Sequence, residues 1–192
     1  MAALHKLYTI DRKGTLTKGH LINLLQPDYS QLTIAGIALT PGMQNTGFLN
    51  GVSMHGQRYL INWSMKPQHM VCNDGVRRSM IYSEPAIEAL FEQVRCYEFP
   101  NRPSRFQAIF GCEDLANLHK FVDKHPPGGA IFELYAEGYA VVDMEFVTTG
   151  HTISETLHYA RRYWNGDHST DPVWECLIEL PVTVGNQLGR YP

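Results

Sequence analysis

The stretch Phe99–Phe121, FPNRPSRFQAIFGCEDLANLHKF, decides the reading of this chain, because it holds a proline-bracketed loop, an aromatic strand and a helix in direct succession. Pro100 and Pro103 bias Phe99 and Arg102 towards extended geometry. Ser104–Gly111 is therefore expected to be a strand, with Phe106, Ala108 and Phe110 on one face and Arg105, Gln107 and Ile109 on the other. Gly111 ends the run. Glu113–Asp114 then place negative charge where a helix over Asp114–His125 begins, with Leu115, Leu118, Phe121 and Val122 at helical spacing. A strand feeding a helix through a small residue is common core architecture. Arg102 and Ser104–Arg105 beside Phe106 and Phe110 add a chemical reading, since guanidinium forks next to aromatic rings suit a ligand with phosphates and a flat base.

Upstream of this unit, Ser83 is expected as the N-cap of a helix over Glu84–Cys96, with Pro85 in its first turn and Ile87, Leu90, Phe91 and Val94 at helical spacing. From Pro41 to Asp74, glycine, asparagine and proline recur among scattered apolar residues without a period. Such a segment is either functional loop or strands that the pattern conceals. Gln31–Leu39 reads as a short strand or extended arm, and Leu16–Leu25 as a helical turn or two. Leu4–Ile10 reads as a first strand closed by the turn Asp11-Arg12-Lys13-Gly14.

Downstream, His125-Pro126-Pro127-Gly128-Gly129 is a loop, and Ala130–Ala136 with Tyr139–Phe146 around Glu137-Gly138 reads as a β-hairpin. Thr152-x-x-Glu155 is a capping-box pattern for a helix that stops at Asn165-Gly166. Val173–Val184 is expected as one final strand. Its alternation places Trp174, Cys176, Ile178 and Leu180 on a core face and Glu175, Leu177 and Glu179 on the other, where Glu175 looks into a cleft. Helices and hairpins are interspersed with no repeated βαβ unit, so the class is α+β on mostly antiparallel sheet, with 1–192 as one domain.

Composition bounds the function classes. The chain is 44% hydrophobic and 18% charged, as ordinary globular domains are, and its net charge of −3 argues against a strongly basic nucleic-acid surface. A local patch of Arg102, Arg105, Arg161 and Arg162 is the one basic cluster the sequence offers. No stretch approaches the ~20 apolar residues of a membrane helix, Met1–Leu7 lacks a long apolar core, and the expected location is the cytoplasm. Cys72, Cys96, Cys112 and Cys176 form no C-x-x-C pair, and His69-x-x-Cys72 stands without a second ligand pair, so no metal site is expected. Dinucleotide, P-loop, zincin and nucleophile-elbow motifs are all missing.

The order of Leu7-Tyr8-Thr9-Ile10-Asp11-Arg12, Ser104-Arg105-Phe106-Gln107-Ala108-Ile109-Phe110 with its helix, and Glu175 on the last strong strand resembles the ADP-ribosyltransferase superfamily, in particular its uncharacterised bacterial and phage-borne branch. The resemblance spans Leu4 to Val184 and is weakest over Pro41–Asp74. It implies an ADP-ribosyltransferase-like fold of split, mostly antiparallel sheets with flanking helices, and an NAD-dependent transferase of the toxin or effector kind. It implies Glu175 as the late-strand carboxylate that stabilises an oxocarbenium-like state while the nicotinamide–ribose bond breaks. Tyr8, Thr9, Arg12, Ser104, Arg105, Phe106 and Phe110 would then contact NAD. Thr9 stands where that superfamily often has a histidine for the adenosine ribose. Val173 stands where members that modify arginine carry a glutamate or glutamine, so arginine is not implied as the acceptor. Tyr163-Trp164 and Trp174 read as packing, with an acceptor platform as the alternative. The acceptor itself, whether protein, nucleic acid or small molecule, is not named by the residues. NAD hydrolysis, or a non-catalytic binding module on the same fold, are the other readings.

Overall fold

The computed structural model describes residues 3–26, 33–34, 37–38, 48, 50–62, 68–71, 75, 77–80 and 83–192, with the backbone alone at 33–34, 37–38, 61–62, 68–71 and 77–80. In chain order these form β1 His5–Asp11, β2 Leu21–Ile22, β3 Thr33–Ile34, β4 Ile37–Ala38 and α1 Met54–Gln57, which runs into a π-helical turn at Arg58–Asn62. There follow β5 Gln68–Val71, β6 Arg77–Met80, α2 Glu84–Glu98, β7 Ala108–Gly111, α3 Leu115–Lys124, β8 Gly129–Ala136 and β9 Tyr139–Asp143. A 3₁₀ turn at Met144–Phe146, α4 Ile153–Asn165, β10 Trp174–Glu179 and β11 Val182–Tyr191 complete the chain.

Every strand pair among the described residues is antiparallel. Two sheets carry the fold, one in the order β1-β8-β11-β2 and one in the order β7-β10-β9, and β3-β4 and β5-β6 are separate two-stranded pairs. The expected α+β class with antiparallel sheets is what the chain forms. The two main sheets meet where Tyr8 on β1 exchanges backbone hydrogen bonds of 2.9 and 2.7 Å with Cys112, just past β7. That junction requires a glycine beside it: a Cβ on Gly111 would lie 2.5 Å from the Tyr8 carbonyl oxygen.

Packing follows the alternation of β10. Cys176 and Ile178 join Leu7, Phe132, Leu134, Val182 and Val184 in a core that spans both sheets. Leu177 points the other way, into a second core with Phe91 and Val94 of α2 and Ala160, Tyr163 and Trp164 of α4. The buried Trp164 indole N–H donates to the Phe91 carbonyl at 2.8 Å, so the largest side chain of this core leaves no polar atom unmatched. α3 covers β1 through Leu118 and Cys112.

Several local expectations are met. Thr152 and Glu155 form a reciprocal capping box on α4, Gly166 closes it at φ 84°, and the Asp114 carboxylate caps α3 by accepting from the Asn117 N–H. Others are corrected. β8 and β9 are not a hairpin: β8 has β1 and β11 on its two edges, while β9 pairs with β10 in the other sheet. The final strand is two strands, because Pro181 has no N–H to continue the β10 ladder and the chain crosses to the first sheet as β11. Only Ala108–Gly111 of the Ser104–Gly111 run is strand, since Ser104–Gln107 form a turn closed by the Gln107 N–H to Ser104 carbonyl bond. Leu16–Leu25 contains β2 and no helical turn. Ser83 precedes α2 without a side-chain cap. Of Gln31–Leu39, the paired residues 33–34 and 37–38 are extended and the remainder lies outside the described residues, as do Trp63, Met65, Cys72 and the side chain of His69.

A candidate active site

A cavity of about 760 Å³ opens beside the junction of β1 and β7. One side is made by the turn after β1. The Asp11 carboxylate accepts from the N–H groups of Lys13 (3.0 Å), Gly14 (2.9 Å) and Leu16 (2.7 Å), so an aspartate folds the chain back on itself there. Asp11, Arg12, Lys13 and His20 all line the cavity. The Arg12 guanidinium lies over the Phe121 ring and donates from Nε to the Pro127 carbonyl at 2.8 Å and from Nη2 to the His125 carbonyl.

A cluster of buried charges also borders the cavity through Arg105, His55 and Glu175. Arg105, 3% exposed, is the hub of a buried cluster. Its Nε and Nη2 form a fork with Glu88 of α2 at 2.8 and 2.9 Å, and its Nη1 donates to Glu175 of β10 at 3.0 Å and to the Tyr163 hydroxyl of α4. The Tyr163 hydroxyl donates in turn to the same Glu175 oxygen at 3.4 Å. His55 Nε2 stands 3.2 Å from Glu88, near enough for a charge contact but not aligned as a hydrogen bond, and its ring lies 4.7 Å from that of Phe110. Burial would raise the Glu88 carboxyl, but Arg105 and His55 outweigh it and hold Glu88 far below the usual carboxylate range. Glu175 is pushed up, chiefly by burial, and Arg105 offsets only part of that. Burial lowers His55 and raises the Tyr163 phenol, so both are neutral near pH 7.

Thr9, Arg12, Arg105, Phe110 and Glu175, drawn from both ends and the middle of the chain, all line this cavity. Tyr8, Ser104 and Phe106 do not. Tyr8 holds the sheet junction, the Ser104 hydroxyl accepts from the Phe106 N–H, and Phe106 packs in the interior. The Thr9 hydroxyl donates to the Phe110 carbonyl at 2.7 Å and so ties β1 to β7. Glu175 is 3% exposed and its Oε2 accepts from Arg105 and Tyr163, so it meets the cavity as a nearly enclosed part of the wall. The basic patch does not form: Arg102 donates to the Trp164 carbonyl, Arg105 is enclosed, Arg161 pairs with Glu98 and Arg162 with Asp167. Tyr163 and Trp164 are fully buried and pack, which removes them as an acceptor platform.

Glu88, His55 and Ser53 escape the sequence reading, and Tyr163 enters it only as packing or an acceptor platform, although His55, Ser53 and Glu175 share the cavity wall. One signal was available. Glu88 sits one turn from Phe91 and Glu84 on the stripe of α2 that also carries Ile87, and a carboxylate on an apolar stripe needs a cation. Among the described residues no group of three or more His, Cys, Asp and Glu could hold a metal ion, and no helix is long and apolar enough to cross a membrane. No curated protein matches the chain. A family described as protein of unknown function, DUF2441, matches residues 7–189, nearly the whole chain. The protein belongs to the DUF2441 family.

Proposed function

We propose that the protein is an ADP-ribosyltransferase, with the split antiparallel sheets as an ADP-ribosyltransferase-like fold and the cavity beside β1 and β7 as its NAD site. The observation that carries the reading is that Arg12, Lys13 and His20 line the same cavity as Glu175. Its volume of about 760 Å³ falls within the range of pockets that enclose whole ligands. A diphosphate suits the basic side chains of Arg12 and Lys13, and the ribose that bears nicotinamide suits the carboxylate of Glu175. Phe110 stands where it can face the nicotinamide ring, and Thr9 offers hydroxyl lone pairs to a ribose. Arg105 has its donors engaged by Glu88, Tyr163 and Glu175, and Arg12 gives Nε and Nη2 to backbone carbonyls, so the phosphates fall to Lys13 and the remaining N–H groups of Arg12.

In the reaction the C1′–N bond breaks with its electron pair leaving on nicotinamide, and positive charge develops on the ribose. An ionised Glu175 stabilises that charge and accepts a hydrogen bond from the 2′-hydroxyl. An acceptor nucleophile then bonds to C1′ and releases its proton to solvent or to Glu175. With water as acceptor the same chemistry gives free ADP-ribose. One observation favours a second reading, a binding module without catalysis: Glu175 is nearly enclosed and its Oε2 already takes the donors of Arg105 and Tyr163.

Nicotinamide release from NAD by wild type and by Glu175→Gln, with and without cell lysate, tests the proposal. Release by wild type alone supports NAD cleavage at Glu175, and dependence on lysate separates transfer from hydrolysis. Tight NAD binding without release in any arm would establish the binding module.

A further inference from the structure

Two carboxylates crowd one guanidinium in the wall of the cavity. Arg105 offers Nε and Nη2 as a fork to Glu88 and only Nη1 to Glu175, which it shares with the Tyr163 hydroxyl. A fork fixes the plane and rotation of a guanidinium, whereas a single bond does not. We propose that Glu88 is a positioning residue: by forking Arg105 it aims Nη1 and the Tyr163 hydroxyl at Oε2 of Glu175, and it leaves Glu175 as the member of the carboxylate pair that exchanges a proton. Its role for Glu175 rests on the proposed reaction, while the order of protonation does not.

One positive charge cannot neutralise two buried carboxylates, so the pair takes up a proton more readily than either alone. Geometry decides which oxygen receives it. Glu88 has two charge-assisted bonds from Arg105 and the His55 imidazole alongside, while Glu175 has one bond from Arg105 and a long one from a neutral phenol. The groups facing Glu175 are Arg105 from the turn before β7, Glu88 from α2 with His55 of α1 behind it, and Tyr163 from α4, while the thiols of Cys112 and Cys176 lie near it, Cys176 on the opposite face of β10. Its neighbour on β9 is the apolar Val142. Burial holds both thiols protonated, so neither competes for the proton near neutral pH. The directions in which Glu88 and Glu175 are displaced agree with this order.

The test is a carboxyl titration of the protein labelled with ¹³C-glutamate, followed by NMR without NAD, with the two signals assigned by their loss in Glu175→Gln and Glu88→Gln. In wild type, Glu175 takes up its proton at higher pH than Glu88, and the reverse order overturns the proposal. In Glu88→Asp, which keeps the charge but shortens the arm that forks Arg105, the bond from Nη1 is misaimed and the Glu175 midpoint moves to higher pH, a gain of about tenfold in proton affinity. An unmoved Glu175 midpoint in a folded Glu88→Asp protein rejects the positioning role. Failure of the NAD reading looks different: no nicotinamide release, with both titrations as described.

Discussion

Arg105 is the residue on which most of the buried charge depends, and its loss has a cost that its neighbours set. Arg105→Leu leaves Glu88 and Glu175 facing each other without a cation, and removing one partner of a buried ion pair costs about 3–5 kcal/mol. Denaturant unfolding of that variant is expected to show a loss of this size; a change under about 1 kcal/mol would mean that water or rearrangement already relieves the pair. Glu175→Gln runs the other way. It removes the carboxylate that Arg105 serves least and keeps its shape, so the melting temperature should hold or rise. Turnover, by contrast, should fall by at least ~10²-fold if Glu175 stabilises a developing positive charge. A variant that melts early and stays active would contradict both statements.

At the scale of elements, the sharpest local signals were caps and glycines, because those depend on residues within one turn. Thr152→Ala breaks the capping box of α4 and should lower stability by about 1 kcal/mol, read from the shift in denaturant midpoint. Gly111→Ala presses a methyl against the Tyr8 carbonyl where the two sheets meet, and overpacking of this kind costs about 1–3 kcal/mol. Amide exchange at Tyr8 and Cys112 should quicken in that variant, and unchanged exchange would mean that the backbone shifts at no cost. The capping box, the Gly166 stop and the α3 span were legible in the sequence. The hairpin of β8 and β9 was not, although both strands exist, because the short Glu137-Gly138 link fits a tight turn and a crossing between sheets equally well.

For the whole molecule, pH reports the buried charges together. Burial lowers His55 and His125 below the ordinary histidine range, so the stability they lend is complete above that range and is lost as the pH falls through it. Glu88 and Asp143 lie below the ordinary carboxylate range. For Asp143, burial is outweighed by the N–H groups of Ser169, Glu145 and Val173. Their contribution goes only as the pH falls below that range. Glu175 has the opposite sign: raised in the folded chain, it costs stability at high pH and regains it on acidification. The stability gap between Glu175→Gln and wild type should therefore narrow as pH falls from 8 towards 5 in denaturant midpoints, and a gap independent of pH would show that Glu175 is not displaced. Legible in the sequence were the α+β class, the three long helices with the caps of α3 and α4, and the alternation of β10 that sets Cys176 and Ile178 against Leu177, because helix caps and side-chain periodicity act within a few residues. Tertiary structure alone decided which strands share a sheet, that Arg105 serves Glu88 and Glu175 rather than a free surface, and that Thr9, Arg12, Phe110 and Glu175 share one cavity. Those outcomes hang on which edges remain open and which charges must be neutralised once water is excluded, and neither is visible to residues taken in chain order.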